Sequence, residues 1–230
     1  MLLVLAFLVT GVLAACGDRP PELAAERVRA AVVATADAET GRVTVAVDGV
    51  VDAEATFAGR VDGTAVDGTV SVLGADIPVR VVDGVAYAKV IGDRWFGVAT
   101  DRFGERGGAP ATVGEVLAAA GLLDALREVG DVRAAGFERI GGTDTTRYDA
   151  TVRIADLAGT VPGNVLPKLE ERLGAQVPVT VWVDGDGLVR RAVVALGSGD
   201  LATTVQVDVS DLGMPVVVEA PPADQVTMLG

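Results

Sequence analysis

The residue types that most often act as nucleophiles in partnership with a histidine are represented in this sequence by one cysteine and three serines. The chain contains no histidine, so neither a Ser–His nor a Cys–His pair can form to activate a nucleophile. Zinc or iron sites built from Cys and His are excluded for the same reason. The serines at positions 71, 198 and 210 lie outside any G-x-S-x-G motif. The sequence therefore predicts no nucleophilic active site.

Carboxylates are the remaining groups that could do acid–base or metal chemistry, and the chain contains 32 Asp and Glu residues. The candidates lie in predicted turns, where Asp is a favoured residue type; they are Asp62, Asp67, Asp83, Asp93, Asp184 and Asp186. The segment DGDG at 184–187 lacks the spacing and the distant Glu of a calcium loop. We therefore predict hairpin turns at these positions, with no bound metal, no cofactor and no enzymatic activity.

Composition narrows the class of partner. The net charge is −13 at pH 7, which argues against nucleic acid or an anionic membrane surface as an electrostatic partner. Hydrophobic residues make up 50% of the chain but aromatic residues only 4%, so the apolar content is mainly Val, Ala and Leu. Trp95 and Trp182 are candidates for a packed core or for the wall of a ligand pocket.

The single cysteine, Cys16, follows an uncharged apolar segment at positions 1–15. This segment is shorter than the roughly 20 residues of a membrane-spanning helix, and it ends in small residues as a secretory signal peptide does. The sequence LAAC resembles the bacterial lipobox, which implies cleavage before Cys16 and acylation of this residue. No Lys or Arg opens the segment, and we interpret this as a start codon assigned too far downstream. The alternative is that Cys16 is a small apolar residue of an N-terminal helix.

The rest of the chain is predicted to form one domain that follows a short tether. We expect a signal peptide at 1–15, a lipidated tether at 16–21 and a single domain at 22–230. A helix is predicted over 22–36, where Leu23, Val28, Ala31, Val32 and Thr35 recur at helical spacing. Further helices are predicted over 112–129, which opens with the capping box TVGE, and over 165–173, which Gly174 ends.

Most other segments alternate between apolar and polar residues, a pattern typical of strands with one buried face. In RVTVAVDG, for example, Val43, Val45 and Val47 share a face. Antiparallel hairpins are favoured by the Asp-Gly pairs at 62–63, 67–68 and 83–84 and by Gly92-Asp93. A second run of strands extends from about residue 131 to LATTVQVDVS, and PVVVEAPPADQV is predicted as an extended tail. These patterns predict an α+β fold in which a long antiparallel sheet curls and holds the helices in its hollow.

Taken together, these segments resemble the actinobacterial lipoproteins of the LppX/LprA/LprF/LprG type, relatives in shape of the lipoprotein carrier LolA and its receptor LolB. The resemblance rests on the lipobox, GRVTVAVDG, GVAYAKVIGDRWFGV and VPVTVWVDGDGLVRRAVV. It implies a strongly curved sheet, a half-barrel, that wraps over helices and encloses an apolar cavity. Acylated lipid or glycolipid would bind in this cavity, and the protein would carry it outward from the plasma membrane. It also implies anchoring by lipidated Cys16 to the extracytoplasmic face of that membrane, with a membrane lipid exporter as a further candidate partner.

An acyl-chain cavity needs apolar walls without large side chains that would fill it. Burial of each lipid methylene contributes about 0.8 kcal/mol, so affinity requires no specific polar contact. On the resemblance, the predicted lining residues are Val43, Val45, Val47, Ala55, Phe57, Val70, Val72, Val79, Val81, Val116, Leu117, Leu123, Leu126, Val179, Val181, Val205 and Val207.

The same residues would also suit a filled core, and the pattern alone does not separate the two. A filled core favours a second hypothesis, in which the chain is a lipid-anchored module. Its acidic surface would then bind an envelope protein or regulate an enzyme.

Overall fold

The computed structural model describes residues 21–49, 52–100, 123, 126–157, 170–171, 174–196 and 202–229. Within these ranges the chain forms one long α-helix, short 3₁₀ turns and twelve strands of a single sheet. The predicted signal peptide, Cys16 and most of the predicted helices at 112–129 and 165–173 lie outside the described residues. No helix in the described ranges is both long enough and apolar enough to cross a bilayer.

Helix α1 spans Pro21–Asp37, one residue earlier than predicted, because proline is well tolerated in the first turn of a helix. Its buried side is formed by Ala24, Ala25, Val28, Ala31, Val32 and Thr35. Leu23 was predicted on this side but is 54% exposed, because at 100° per residue it points away from the others. The helix packs against three strands of the sheet, Gly130–Ile140, Gln176–Asp184 and Val189–Leu196.

Polar contacts fix the position of α1. The buried Thr35 hydroxyl donates to the Ala31 carbonyl at 2.7 Å and accepts the Val189 N–H at 2.9 Å. At the other side of the helix, Arg29 Nη2 donates to the Val129 carbonyl at 2.8 Å. The Thr35–Val189 and Arg29–Val129 hydrogen bonds join α1 to residues at least 100 positions away, so they tie the helix to the second half of the chain.

The strands follow the predicted alternation closely. Their bounds are β1 (Thr40–Asp48), β2 (Ala53–Arg60), β3 (Val66–Val72), β4 (Ala75–Val82), β5 (Val85–Ile91), β6 (Arg94–Ala99), β7 (Gly130–Ile140), β8 (Thr143–Arg153), β9 (Gln176–Asp184), β10 (Val189–Leu196), β11 (Thr203–Ser210) and β12 (Val226–Met228).

The strand order across the sheet is β12-β6-β5-β4-β3-β2-β1-β11-β10-β9-β8-β7. Two runs of consecutive hairpins, β1 to β6 and β7 to β11, are joined by pairing of β1 with β11. All neighbours are antiparallel except β12 and β6. The sheet is curved and does not close. The predicted α+β fold with a curved, open sheet is therefore confirmed.

Parts of the two remaining predicted helices are described. Leu123 is helical and buried, and Leu126–Glu128 forms a 3₁₀ turn next to α1. Glu170 and Glu171 are helical, and the Gly174 N–H donates to the Glu170 carbonyl at 2.9 Å. Gly174 has φ of +83°, the left-handed conformation that commonly follows the last turn of a helix.

The C-terminal segment was predicted as an extended tail but contributes the strand β12. Residues 214–222 have no regular structure, and Val226–Met228 then pairs in parallel with β6. On the way, the carbonyl of Glu219 accepts a hydrogen bond from Arg80 at 3.3 Å. The tail therefore covers the edge of β6, and a covered edge does not pair with other chains.

Most predicted turns are confirmed, at 62–63, 83–84, 92–93 and 185–187, and a further turn at 141–142 joins β7 to β8. The Asp67-Gly68 turn is wrong, because both residues lie inside β3. Gly68 lies opposite Phe57 of β2, and a Cβ at Gly68 would stand 2.7 Å from the Phe57 ring and 2.1 Å from the Thr56 carbonyl oxygen. Position 68 therefore requires glycine because β2 and β3 approach each other closely there, and not because the chain turns. Leu73-Gly74 forms a turn that the sequence did not reveal.

We expect Gly68→Ala to lower the free energy of unfolding by about 2 kcal/mol, since the new methyl group must displace both the backbone of β2 and an aromatic ring. Urea denaturation measures this loss. The matched control is Gly130→Ala, also in a strand, where a Cβ has no atom within 4 Å. Equal stability of the two variants would contradict the packing of Phe57 on Gly68.

Candidate functional site

The sheet has one buried face and one polar face. The buried face carries Val43, Val45 and Val47 of β1, which are all less than 9% exposed, whereas Thr44 and Ala46 between them belong to the polar face. This separation follows from the two-residue period of a strand. The buried apolar residues of the sheet therefore lie on the face against which α1 packs.

A single row of paired residues crosses the middle of the buried face, and we call it the middle row. Each residue of the row is the register partner of the next one on the neighbouring strand. The order is Tyr148, Val181, Ala192, Val207, Val45, Ala55, Val70 and Ile77. All but Ile77 are at most 1% exposed. The middle row is thus a continuous apolar path over eight strands, built almost entirely from Val and Ala.

Two further rows flank it. One contains Val209, Val43, Phe57, Gly68 and Val79, and the other contains Val179, Val194, Val205, Val47, Ala53 and Val72. Val72 and Val205 are partly exposed. The buried face therefore opens toward solvent at the end where β1 leads to β2.

The predicted lining residues can now be placed. Thirteen of them are buried: Val43, Val45, Val47, Ala55, Phe57, Val70, Val79, Val81, Leu123, Leu126, Val179, Val181 and Val207. Val72 and Val205 are partly buried, and Val116 and Leu117 lie outside the described residues. Their burial places them inside the protein but does not show that they line a cavity, so the lining role of these residues stays a prediction.

An open depression of about 410 Å³ lies at the end of β1, β2 and β3. Asp48, Asp52 and Glu54 are among its lining residues, beside Val47 and Val72. Three exposed carboxylates make this depression unsuited to an acyl chain, so it is not the apolar cavity that the sequence predicts. In the described ranges, this depression included, no group of three His, Cys, Asp or Glu residues is placed so that it could hold a metal ion.

Tyr148 was not singled out from the sequence, although it alternates with Ala150 and Val152 on β8 and so could have been assigned to the buried face. Its side chain is completely buried, and its hydroxyl has no hydrogen-bond partner among the described residues. It is the one polar side chain of the middle row.

Both tryptophans lie on the polar face, so neither lines the apolar interior. Trp182 donates from Nε1 to Glu138 at 2.8 Å and lies under the guanidinium of Arg147, which is 6.0 Å from the ring centre. Trp95 is covered in the same way by Arg80, at 5.2 Å. Cation–π stacking and cover by arginine stems explain how these rings are shielded from water.

Asp184 organises the turn between β9 and β10. One carboxylate oxygen accepts the N–H groups of Asp186 and Leu188, both at 2.9 Å, and the other accepts Arg190 Nε at 2.6 Å. A bulge between Val189 and Arg191 accompanies this contact. The carboxylate is 1% exposed, and protein donors already occupy both of its oxygens. The segment DGDG is therefore a turn, as predicted.

Comparison with known proteins gives a family and a fold. The family model described as LppX_LprAFG lipoprotein matches residues 24–218. The crystal structure of the Mycobacterium tuberculosis lipoprotein LppX is similar with a TM-score of 0.61 and 22% sequence identity, over 87% of this chain and 100% of LppX. LprF from Mycobacterium bovis is similar with a TM-score of 0.59 and 19% identity, over 89% of this chain and 99% of LprF. A search of curated protein sequences found no significant match.

Proposed function

This chain belongs to the LppX_LprAFG lipoprotein family, and from that premise we propose that it binds acylated lipid or glycolipid in an apolar cavity. The cavity lies between the buried face of the sheet and the helices of a single domain at 22–230. The protein carries this lipid outward from the plasma membrane and has no catalytic activity. The absence of histidine from the chain supports the last point, since the common nucleophile–base pairs cannot form.

The middle row is the observation that carries this proposal. It crosses eight strands, which corresponds to an arc of about 34 Å at about 4.8 Å between neighbouring strands. Its Val and Ala side chains are too short to fill a wide interior, and they offer a lipid tail a continuous apolar surface. Because each buried methylene contributes about 0.8 kcal/mol, a long acyl chain would be held without directional contacts.

We further propose that Cys16 anchors the protein. Cleavage before Cys16 and its acylation would leave the domain at the extracytoplasmic face of the plasma membrane, behind a tether of a few residues. Stable membrane anchoring requires more than one lipid chain, and a diacylglycerol together with an amide-linked acyl chain meets this requirement. A membrane lipid exporter in the same membrane is the partner that would supply the cargo.

Native mass spectrometry tests the binding proposal. The chain with Cys16→Ala, expressed in an actinobacterial host, is expected to carry one or more acylated lipids as non-covalent mass additions. Under denaturing conditions the same sample should give the bare chain mass, which separates bound lipid from covalent modification. Bare mass under native conditions, together with failure to take up added glycolipid, would refute the carrier role. It would favour an anchored interaction module with a filled core.

A further inference from the structure

Among the buried hydroxyl groups of the described residues, that of Tyr148 is the one without a hydrogen-bond partner. The other two buried hydroxyls in the described ranges are satisfied: Thr35 donates to the Ala31 carbonyl at 2.7 Å and Thr145 to the Glu138 carbonyl at 2.6 Å. Tyr148 is 0% exposed, and its Oη has no partner in the described part of the chain. A buried hydroxyl without a partner is destabilising, and phenylalanine would fill the same space without that penalty.

The position of Tyr148 in the middle row suggests what its hydroxyl is for. On one side it faces Val181, and the row continues from there through completely buried Val and Ala residues. On the other side it faces Ala134 of the edge strand β7, which is exposed. Tyr148 is therefore the last buried residue before the row reaches solvent. A lipid lying along the row would place the junction of its tail and its head group at this point.

We propose that the Tyr148 hydroxyl donates a hydrogen bond to the carbonyl oxygen of an ester-linked acyl chain whose tail lies along the middle row. This inference rests on the proposed lipid-binding function and adds a position and a chemical group to it. The ester carbonyl is the polar atom nearest to the tail, and it can only accept. A tyrosine hydroxyl is a donor of suitable reach. The contact sets the depth of the tail and leaves the head group at the β7 edge.

The test compares two lipids that differ only in this carbonyl. Binding of a diacyl phosphatidylcholine and of its dialkyl ether analogue, with equal chain lengths, is measured for the purified protein and for Tyr148→Phe. The unsubstituted protein should prefer the ester lipid by about 3- to 10-fold, the value of one neutral hydrogen bond. Tyr148→Phe should lose this preference by binding the ester lipid more weakly while its affinity for the ether lipid stays the same.

Tyr87→Phe is the matched control, because Tyr87 faces Arg80 on the polar face and should leave both affinities unchanged. Without lipid, Tyr148→Phe should melt at the same temperature as the unsubstituted protein or higher. A lower melting temperature would show that the hydroxyl has an internal partner and would overturn the inference. An unchanged ester preference in Tyr148→Phe, or equal binding of both lipids by the unsubstituted protein, would overturn it as well. If neither lipid binds, the proposed function itself fails.

Discussion

Replacing Ala55 with phenylalanine is expected to abolish lipid binding while the protein stays folded. Ala55 lies near the centre of the β1–β4 half of the middle row, between Val45 and Val70, and is 1% exposed. If the row lines a cavity, the new ring projects into the path of the acyl tail. Excluding about four methylenes from burial costs about 3 kcal/mol, or about 150-fold in affinity. Lipid occupancy in native mass spectra and displacement of a fluorescent fatty acid measure the loss.

Ala58→Phe provides the comparison for Ala55→Phe on the same strand. Ala58 belongs to the polar face of β2, where it pairs with Arg42 and Asp67, so its substitution should leave lipid binding intact. The melting temperature then distinguishes a cavity from a filled core. Overpacking a filled core costs about 1–3 kcal/mol, so a strongly destabilised Ala55→Phe variant would contradict the cavity, whereas a folded variant that binds no lipid would support it.

The second large effect concerns stability. We expect Asp184→Ala to lower the free energy of unfolding by about 3 kcal/mol, since the carboxylate is buried and accepts three hydrogen bonds. Its removal leaves two backbone N–H groups and the Arg190 guanidinium without their acceptor, and loss of one partner of a buried charge pair is among the costliest single changes. Equilibrium urea denaturation gives the value directly.

Asp186→Ala controls for the general effect of removing an aspartate from this turn. Asp186 is exposed, and surface substitutions of this kind usually change stability by less than about 0.5 kcal/mol. A similar loss in both variants would mean that turn propensity, and not the buried carboxylate, holds β9 and β10 together. A large loss in Asp184→Ala alone would establish the assigned role of the carboxylate.

The polar face has a structural role that complements the buried face. Arg191 forms a two-point ion pair with Asp208 across β10 and β11, and Gln206 donates to the same carboxylate at 2.8 Å. The hydrogen bond that Arg191 donates to the Asp208 carboxylate raises the pKa of Arg191 above its ordinary value. These contacts link β10 to β11 on the polar face, on the opposite side of the sheet from the middle row.

Local patterns in the sequence were sufficient to determine the helix α1, most of the strands, and which residues share a face. Val43, Val45 and Val47 are buried together because side chains alternate every two residues along a strand, whatever the strand pairs with. The exclusion of Ser–His and Cys–His pairs likewise follows from residue types alone. Leu23 was the exception in α1, since one leucine near a helix terminus can lie off the buried side without changing the helical period.

Tertiary structure alone decided how these elements are combined. Pairing of β1 with β11, the parallel return of β12 to β6 and the alignment of the middle row all depend on contacts between residues far apart in sequence. A two-residue period specifies a face but not a partner or a register. The Asp67-Gly68 pair was assigned to a turn because its local sequence is typical of one. The actual need for glycine at position 68 comes from Phe57 on the neighbouring strand, which a local pattern does not reveal. Tyr148 gained its significance in the same way, from a hydroxyl that the assembled sheet buries and that has no hydrogen-bond partner among the described residues.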